Sequence, residues 1–401
     1  MKYIVVGGGP SGMATAISLS KNHEVILIER NESLGKKLLM TGNGRCNILN
    51  NKNNQELIKH IHHGKFLYSA LDEVNVSYLI NFFEQSNVLL KEEDNGRMFP
   101  VSNKSKDILG ALTSHLNGVK IHLNTQVTDL IIEDNTIKGV MTSQGEMLAD
   151  GVVMATGGLS YPMSGSDGVG HSILNNHKIS ITDCYPVETS LISHEAFIQD
   201  KILQGLTLNN IILNLKNDNN KLIYQTNGNL LFTHYGVSGP AVLKASEHVY
   251  HLLKKQPKVS LHCQLINNET RESLFEKMKN YPHRVDKFLM DYLPKRMIVY
   301  LLDELKLKDL PVLSHKEIKK LIEHLFNFKI EIMDVMDIKK ATVTGGGVSL
   351  KEVNPYNFES KRYRNLYMVG ELLDCHGEIG GYNLTLSLVS GFVCGQRVSL
   401  L

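Results

Sequence analysis

The chain has 401 residues, of which 42% are hydrophobic and 21% are charged, proportions typical of a globular protein with room for two or three domains. Its formal net charge of +2 is too small to argue for a nucleic-acid or anionic-membrane partner, and no window is apolar over the length of a membrane span. The five cysteines are scattered without a C-x-x-C pair, which favours free thiols in a reducing cytoplasm over disulfides or a metal site.

The first thirty residues predict a strand, a glycine turn, a helix and a second strand. Residues 3–6 and 24–29 are apolar, β-branched runs, and residues 13–21 have helical character. Between the first strand and the helix lies GGGPSG, residues 7–12, which carries the G-x-G-x-x-G spacing. The first strand begins so close to Met1 that no signal peptide is expected. This order of elements predicts a dinucleotide-binding unit.

Each residue type in this unit has a physical reason. Gly7 permits the tight turn, Gly9 lets a pyrophosphate approach the backbone, and Gly12 lets the helix pack against the strand. The helix N-terminus offers free N–H groups and a positive dipole end to the phosphates. Glu29, at the end of the second strand, can accept hydrogen bonds from a ribose diol and would repel a 2′-phosphate. FAD or NAD therefore fits better than NADP.

A polar, basic loop follows at residues 31–54. Lys36, Lys37 and Arg45 can address phosphates, while Gly42 and Gly44 let the backbone approach a flat ring. A loop this long in a compact domain usually binds a ligand. The alternative is a solvated basic loop.

The next segments predict a mixed region that ends in a small antiparallel meander. In chain order we expect a helical stretch at 57–88, an extended segment at 96–100, a helix at 107–116, a strand at 120–127, and meander strands at 129–132, 137–142 and 146–148.

Residues 151–158 form the next strong signal, a buried strand that ends in Thr156, Gly157 and Gly158. Backbone without side chains can pass close to a bound dinucleotide at such a point. Residues 161–170, rich in glycine and serine, predict a flexible loop, and residues 171–176 predict a helix.

Beyond about residue 186 the pattern changes to alternating strands and amphipathic helices, which indicates a substrate or cap domain rather than more of the parallel sheet. We expect strands at 207–215, 222–225, 230–233, 258–265 and 328–335, a helix from Pro240, helical structure at 269–305 punctuated by Pro282 and Pro294, and a helix at 316–325.

From residue 341 the sequence pattern again resembles that of the predicted cofactor-binding domain. A strand runs into the glycines at 345–347, without the spacing of a second nucleotide fold. A last buried strand at 366–371 precedes Asp374, two glycines at 380–381 and an apolar helix at 384–397.

Three long motifs carry a family resemblance. Residues 36–47 read KKLLMTGNGRCN, residues 231–240 read LFTHYGVSGP, and residues 370–384 read GELLDCHGEIGGYNL. Together with residues 96–100 and 343–348 they resemble the FAD-binding flavoproteins of the BaiN and aminoacetone-oxidase type, within the glutathione-reductase-like superfamily. The resemblance covers essentially the whole chain.

The resemblance implies an α/β fold. A Rossmann-like, three-layer FAD-binding domain would comprise residues 1–187 and 341–401. An inserted β-barrel-like domain would comprise 188–264 and 313–340, and it would carry a small helical domain at 265–312.

The resemblance also implies site residues. Gly370 and Asp374 would meet the ribityl–pyrophosphate region, and the main chain of Val127 would meet adenine. Residues 381–384 would aim the last helix at the flavin pyrimidine ring, where charge develops on reduction. The full set expected to bind FAD is Gly7, Gly9, Pro10, Ser11, Gly12, Glu29, Arg30, Lys36, Lys37, Thr41, Gly42, Asn43, Arg45, Cys46, Asn47, Val127, Thr156, Gly157, Gly158, Gly370, Glu371, Asp374, Gly381, Tyr382, Asn383 and Leu384.

We therefore predict an FAD-dependent oxidoreductase that transfers hydride between the flavin N5 and a small organic substrate or NAD(P)H. Without paired cysteines or a second nucleotide fold, a disulfide reductase is disfavoured. Two alternatives stay open: an FAD-containing tRNA-modifying enzyme, against which the near-neutral charge speaks, and a non-catalytic flavin-loaded binding or sensor protein.

No general base can be named from the sequence. His234 is either a packed, hydrogen-bonded histidine or a substrate-side group, and Cys46, which has no partner cysteine nearby, is expected to be inert. The candidate substrate-side residues are His234, Tyr235, Arg97, His376, Glu378 and Tyr382.

Overall fold

A computed structural model describes residues 1–400. Within them the strands are β1 Lys2–Val6, β2 Glu24–Ile28, β3 Leu49–Asn50, β4 Leu90–Glu92, β5 Arg97–Pro100, β6 Lys120–His122, β7 Val127–Glu133, β8 Thr136–Thr142, β9 Gly145–Leu148, β10 Gly151–Met154, β11 Tyr185–Val187, β12 Leu191–Ile192, β13 Thr207–Lys216, β14 Leu222–Phe232, β15 Gly236–Ser238, β16 Val259–Gln264, β17 Phe328–Ile332, β18 Asp334–Val335, β19 Val343–Gly345 and β20 Leu366–Met368.

The α-helices within the same residues vary in length from a single turn to nearly five turns. They are α1 Pro10–Leu19, α2 Lys36–Met40, α3 Asn54–Lys59, α4 Tyr68–Glu73, α5 Val76–Gln85, α6 Ser105–Ser114, α7 Val169–Asn176, α8 Ala196–Gln199, α9 Pro240–Leu253, α10 Arg271–Lys279, α11 Val285–Leu289, α12 Lys295–Glu304, α13 His315–Phe326 and α14 Tyr382–Val398.

The chain divides into two compact units. Unit 1 comprises residues 1–185 and 342–401, and unit 2 comprises residues 186–341. Each unit has its own hydrophobic core. None of the helices within residues 1–400 combines the length and the apolar character that a membrane span needs.

Unit 1 is built on a five-stranded sheet in the order β20-β10-β1-β2-β6, whose neighbours are all parallel. Residues 3–6 and 25–28 are buried, as expected for strands covered on both faces. Because β1 lies at the centre and β20 at one edge, the two ends of the chain share one sheet. The predicted α/β fold is confirmed.

The first and last helices of unit 1 pack closely against each other. A Cβ added to Gly391 on α14 would lie 2.3 Å from the carbonyl oxygen of Ser11 on α1. A Cβ on Gly395 would lie 2.5 Å from the Cβ of Ser18. Two glycines on one face of α14 therefore allow the backbones to approach, which fixes the C-terminal helix beside the N-terminal glycine turn.

The meander predicted after residue 127 is present as the antiparallel sheet β7-β8-β9, and β8 packs against β10. Val127, Leu130, Ile137 and Val140 are the buried residues of its inner face. The meander thus joins the core of unit 1 rather than forming a separate domain.

Unit 2 contains a seven-stranded antiparallel sheet in the order β17-β16-β13-β14-β15-β12-β18. Its two edge strands, β17 and β18, are separated by Met333 alone, so the sheet curls back on itself. Helices α10 to α13 pack into the same hydrophobic core. Pro294 lies at the start of α12, where its missing N–H costs nothing.

Two of the predicted elements in unit 1 are wrong in extent. The stretch at 57–88 is not one helix but α3, a 3₁₀ turn, α4 and α5. His63 adopts a left-handed conformation, and a Cβ on Gly64 would lie 2.4 Å from the carbonyl oxygen of Ile58. The side chain of Asn75 then caps α5 by accepting a hydrogen bond from the N–H of Tyr78. The strand predicted at 120–127 ends at His122, and β7 belongs to another sheet.

The predicted break between residues 225 and 230 is also wrong. β14 continues as one strand through this segment, where Gly228 adopts a φ of 149°. The register between β13 and β14 shifts at two other places, between Leu208 and Ile211 and between Leu215 and Lys216. A turn signal in the sequence was therefore overridden by strand pairing. The basic loop at 31–54 likewise contains a short helix, α2.

Candidate functional site

A cavity in unit 1 opens at the carboxyl ends of the parallel strands, where ligands bind in open α/β sheets. The empty space between its lining residues, including the solvent-open part at its mouth, is about 880 Å³. Val6, Ile28 and Ala155 contribute the ends of three neighbouring strands, while Glu371 and Ser387 come from the C-terminal segment. Both ends of the chain therefore line one cavity.

The glycine turn has the geometry that the fingerprint predicts. Apart from Gly9 itself and its two chain neighbours, no atom of residues 1–400 lies within 4 Å of a Cβ built on Gly9, so this backbone faces open space. A Cβ on Gly12 would lie 1.9 Å from the carbonyl oxygen of Gly7, and Gly7 itself has a φ of 107°. Gly9 thus leaves room for a ligand, whereas Gly7 and Gly12 are required by the fold.

Helix α1 begins directly at the cavity. Pro10 occupies its first turn, and within the described residues no side chain caps its N-terminus and no acidic residue lies in its first turn. Its unpaired N–H groups and positive dipole end consequently face the cavity. This is the arrangement that binds a phosphate group.

Glu29 is buried at the end of β2, with 8% of its surface exposed. Its Oε2 accepts a hydrogen bond from the N–H of Gly8 at 2.8 Å, and its Oε1 accepts from the N–H and side-chain amide of Asn31 at 2.8 and 2.6 Å. A carboxylate has about four acceptor sites. One site remains for a hydroxyl group of a ligand in the cavity.

Two buried hydroxyl groups in the cavity wall have no hydrogen-bond partner within residues 1–400. They are the Oγ1 of Thr156, after β10, and the Oγ of Ser166, in the loop before α7. A Cβ on Gly157 would lie 2.8 Å from the Ser166 oxygen, so the two groups belong to the same tight corner. Buried unpaired hydroxyls cost free energy, which a polar ligand would recover.

Lys37 is held by an internal network rather than pointing freely at a ligand. Its Nζ lies 2.7 Å from Oε2 of Glu371 and 2.7 Å from Oγ of Ser160. Oε1 of Glu371 accepts hydrogen bonds from the backbone N–H of Thr344 at 3.1 Å and from Ser160 at 3.2 Å. The lysine therefore neutralises a carboxylate at the cavity wall.

Some predicted cofactor-binding residues line this cavity and others do not. Those that line it are Gly7, Gly9, Pro10, Ser11, Glu29, Arg30, Lys36, Lys37, Val127, Thr156, Gly157 and Glu371. Those outside its lining are Gly12, Thr41, Gly42, Asn43, Arg45, Cys46, Asn47, Gly158, Gly370, Asp374, Gly381, Tyr382, Asn383 and Leu384.

Many residues of this second group form another junction between the chain ends. Asn50 Nδ2 donates to the carbonyl of Gly380 at 2.8 Å, and a Cβ on Gly381 would lie 2.3 Å from the carbonyl oxygen of Leu49. The amide of Asn383 exchanges two hydrogen bonds with the backbone of Gly377, both 2.8 Å. The segment after Thr41 is thus packed against the start of α14.

Arg45 and Cys46 are held by contacts within the protein. The Arg45 guanidinium pairs with Glu93, donates to Asn103 Oδ1 at 2.8 and 3.0 Å, and lies 4.3 Å above the ring of Phe99. Cys46 is fully buried, and burial raises the pKa of its thiol to about 12. An un-ionised thiol is a poor nucleophile.

The substrate-side candidates fall in both units. In unit 2, His234 is exposed at the turn between β14 and β15, with its ring 4.8 Å from that of Tyr235. In unit 1, Arg97 pairs with Asp94 at the surface. His376 is buried and stacks on His62 at 4.9 Å.

Tyr382 and Glu378 are the remaining candidates, and they lie in one polar cluster of unit 1. The ring of Tyr382 stacks on His60 at 5.0 Å, and Nδ1 of His60 lies 3.0 Å from Oε2 of Glu378. Burial, with Glu378 and Glu56 nearby, raises the pKa of Tyr382 to about 12. Its phenol therefore keeps its proton at neutral pH.

Sequence reasoning missed part of the cavity wall. The loop at 161–170 was expected to be flexible, yet Asn31 Nδ2 donates to the carbonyl of Ser164 at 2.9 Å, and Arg30 pairs with Asp167 at 2.5 Å. The glycine- and serine-rich composition of this loop is the sequence feature that could have indicated a place in the cavity wall. Several residues line the cavity with polar side chains or polar backbone groups but were not among the predicted site residues. They are Gly8, Gly35, Thr125, Gln126, Ser164, Gly165, Ser166 and Ser387.

The residues present fit a dinucleotide: an open glycine, an uncapped helix N-terminus, a carboxylate with a free acceptor site and two unpaired hydroxyls. The fold and the cavity define a dinucleotide-binding protein of the Rossmann type. The chain belongs to the family described as the HI0933-like protein Rossmann domain, whose model matches residues 1–397. The predicted family, fold and enzyme class are confirmed.

Two curated relatives align over almost the whole chain. One is the 3-dehydro-bile acid delta(4,6)-reductase of Clostridium scindens, which is 26% identical and aligned over 98% of both chains. The other is the ribosomal RNA dihydrouridine synthase of Haemophilus influenzae, which is 27% identical over 99% of this chain and 98% of that one.

Two solved structures share the fold. The 3-ketosteroid-delta4-(5alpha)-dehydrogenase of Rhodococcus jostii has a TM-score of 0.54 at 13% identity, covering 99% of this chain and 96% of that one. The 3-ketosteroid delta1-dehydrogenase of Sterolibacterium denitrificans has a TM-score of 0.54 at 11% identity, covering 99% of both chains. At such identities the likeness concerns the fold alone.

Proposed function

We propose that FAD binds in the cavity of unit 1 and that the enzyme reduces a carbon–carbon double bond conjugated to a carbonyl group in a small organic molecule. The observation that carries the placement of FAD is the open backbone of Gly9 at the start of α1, beside Glu29. Gly9 faces open space while Gly7, Gly8 and Gly12 are tightly packed, which supports the approach of a ligand to the backbone at Gly9.

In this placement the residues have distinct roles. The N-terminus of α1 binds the pyrophosphate, Glu29 binds the adenosine ribose, and the main chain of Val127 meets the adenine. The hydroxyls of Thr156 and Ser166 donate to the polar chain of the cofactor. The Lys37–Glu371 pair presents a neutralised carboxylate, so the cavity wall does not repel the phosphates.

The proposed reaction follows from what the two relatives' names have in common. A delta(4,6)-reductase acting on a 3-dehydro bile acid and a dihydrouridine synthase both saturate a carbon–carbon bond near a carbonyl. Bound FAD supplies hydride transfer. The protein has to supply the second hydrogen as a proton, and Tyr382 and His376 are the candidates within unit 1 for that task.

A small molecule is favoured over RNA as the substrate because the net charge is +2 and the cavity side chains Lys37 and Arg30 are paired with carboxylates. Binding to RNA depends on several unpaired cations that contact phosphates. NAD(P)H is the proposed reductant. It would reduce the flavin and leave, because the sequence has no second nucleotide-binding fingerprint.

Anaerobic spectroscopy tests this proposal. The flavin of the FAD-loaded protein is first reduced with NADH or NADPH. The reduced protein is then mixed with a 3-oxo-Δ4 steroid, with the matching saturated ketone or with a uridine-containing RNA. In a separate arm, a primary amine is added to the oxidised protein. We expect the enone to restore the oxidised-flavin spectrum and the saturated ketone not to. Reoxidation by the RNA but by no small enone, or flavin reduction by the amine alone, would overturn the proposal.

A further inference from the structure

Three potential metal ligands converge at the surface of unit 1, outside the FAD cavity. They are His62 and His63, in the loop after α3, and Asp374, in the segment after β20. One ligand atom from each lies within 4.8 Å of the other two. Nε2 of His63 is 3.9 Å from Oδ2 of Asp374, and the two imidazole rings are 4.0 Å apart between centroids.

The backbone around these side chains is firmly held. The N–H of His62 donates to the carbonyl of His376 at 2.7 Å, and the thiol of Cys375 donates to the carbonyl of His62 at 3.3 Å. The N–H of Asp374 donates to the carbonyl of Val348 at 3.0 Å. The two segments are thus tied together across about 300 residues of sequence, so their ligands are placed by tertiary structure rather than by a mobile loop.

The side chains are also oriented before any ligand arrives. His62 stacks on the buried ring of His376, with an angle of 20° between the planes. His63 adopts a φ of 56°, a left-handed conformation that is unfavourable for a residue other than glycine. This conformation directs two adjacent histidines to the same carboxylate, although neighbouring side chains in regular structure point apart.

We propose that His62, His63 and Asp374 bind one divalent transition-metal ion of the Zn²⁺ class. Two neutral imidazoles and one carboxylate are a ligand set that suits Zn²⁺, Co²⁺ or Ni²⁺ better than Mg²⁺ or Ca²⁺. Ligand atoms around a tetrahedral Zn²⁺ are about 3.4 Å apart, so shifts of about 1 Å close the site. Three protein ligands leave a fourth position for water or for an oxygen of a ligand.

The experiment uses untagged, full-length protein from which metal ions have been removed with EDTA. Zn²⁺ alone is titrated into it, and its binding is measured by calorimetry. We expect one tightly bound Zn²⁺ per chain. His63→Ala and Asp374→Asn should each weaken binding by about tenfold or more, since even the loss of an outer-shell partner costs that much. Co²⁺ should give visible ligand-field absorption bands in the wild type and not in His63→Ala.

His177→Ala is the matched control. His177 Nε2 lies 2.7 Å from Asp129 Oδ1, a comparable histidine–carboxylate pair that lacks a third ligand. Its loss should leave Zn²⁺ binding unchanged. The inference is overturned if the wild type takes up no Zn²⁺ at one equivalent, or if His63→Ala and His177→Ala bind equally well or are equally impaired. His63 is exposed, so its variant should retain the thermal stability and flavin spectrum of the wild type.

Discussion

The ammonium group of Lys37 lies 2.7 Å from the carboxylate of Glu371, a residue 334 positions further along the chain. The side chains are 25% and 18% exposed, so this ion pair is mostly removed from water. It connects α2 with the segment after the last strand of the sheet, at the wall of the unit 1 cavity. The pair therefore joins the two ends of the chain where the cofactor is proposed to bind.

Replacing Lys37 with methionine should lower the free energy of unfolding by about 2 kcal/mol, because Glu371 loses its charged partner in a partly buried site. The unpaired carboxylate would also repel FAD, and we expect FAD binding to weaken by roughly tenfold or more, about 1.4 kcal/mol. Urea denaturation and fluorescence titration with FAD measure the two effects.

Lys120→Met is the control for this prediction. Lys120 Nζ also lies 2.7 Å from a carboxylate oxygen, that of Glu24, but the two side chains are 64% and 49% exposed. Such surface pairs contribute about 0–1 kcal/mol. If both variants lost the same stability and affinity, the internal ion pair would have no special role.

Gly9→Ala and Gly12→Ala should have opposite consequences. The Cβ at Gly9 enters open space in the cavity, so this variant should fold with wild-type stability and bind FAD at least about tenfold more weakly. The Cβ at Gly12 would lie 1.9 Å from a carbonyl oxygen, so that variant should be destabilised or insoluble. Thermal unfolding of the apoprotein and FAD titration separate the two; tight FAD binding by Gly9→Ala would contradict the proposed site.

Thr156→Val and Ser166→Ala should stabilise the apoprotein and weaken FAD binding. Each removes a buried hydroxyl that has no partner in the part of the chain that the structure describes. We expect a gain of about 1 kcal/mol in the free energy of unfolding without FAD, and a loss of about 1 kcal/mol in binding. The free energy of unfolding, measured with and without FAD, tests both the expected gain in apoprotein stability and the expected loss in FAD binding.

Thr15→Val is the matched variant, because the Thr15 hydroxyl is buried but donates to the carbonyl of Ser11 at 2.8 Å. It should lose stability, by about 1 kcal/mol, and keep its affinity for FAD. A loss of apoprotein stability in Thr156→Val as large as in Thr15→Val would mean that its hydroxyl is already satisfied.

The stability of the protein should fall as the pH is lowered below about 6.5, in part through His171. Burial lowers the pKa of His171, while Nε2–H donates to the carbonyl of Leu372 at 3.0 Å. The unfolded chain then binds a proton at a higher pH than the folded one, so the free energy of unfolding decreases in this range, by at most about 1.4 kcal/mol per pH unit for one group.

His171→Gln should flatten this slope, although the hydrogen bond is altered and overall stability decreases. Burial also lowers the pKa values of His23 and His262, so part of the slope should persist. Unfolding midpoints measured between pH 5 and pH 8 test this prediction. Equal slopes of stability against pH in the wild type and His171→Gln would exclude a contribution from His171.

The sequence by itself determined the dinucleotide unit, because its signals are local. A β-branched strand, the glycines at 7, 9 and 12, a helix and Glu29 occur within thirty residues, and each has a steric or electrostatic reason that needs no distant partner. The same holds for the apolar C-terminal helix, the meander and the change of pattern near residue 186. These predictions depended on periodicity and turn chemistry within short windows.

Only the tertiary structure decided which side chains reach the cavity and which are used internally. Lys37 and Arg45 looked alike as phosphate-binding cations, yet Lys37 pairs with Glu371 at the cavity wall and Arg45 with Glu93 away from it. Ser166 and Ser387 carry no local signal that distinguishes them from surface serines. The physical reason is that such roles are set by contacts between segments hundreds of residues apart, which leave no period or spacing in the sequence.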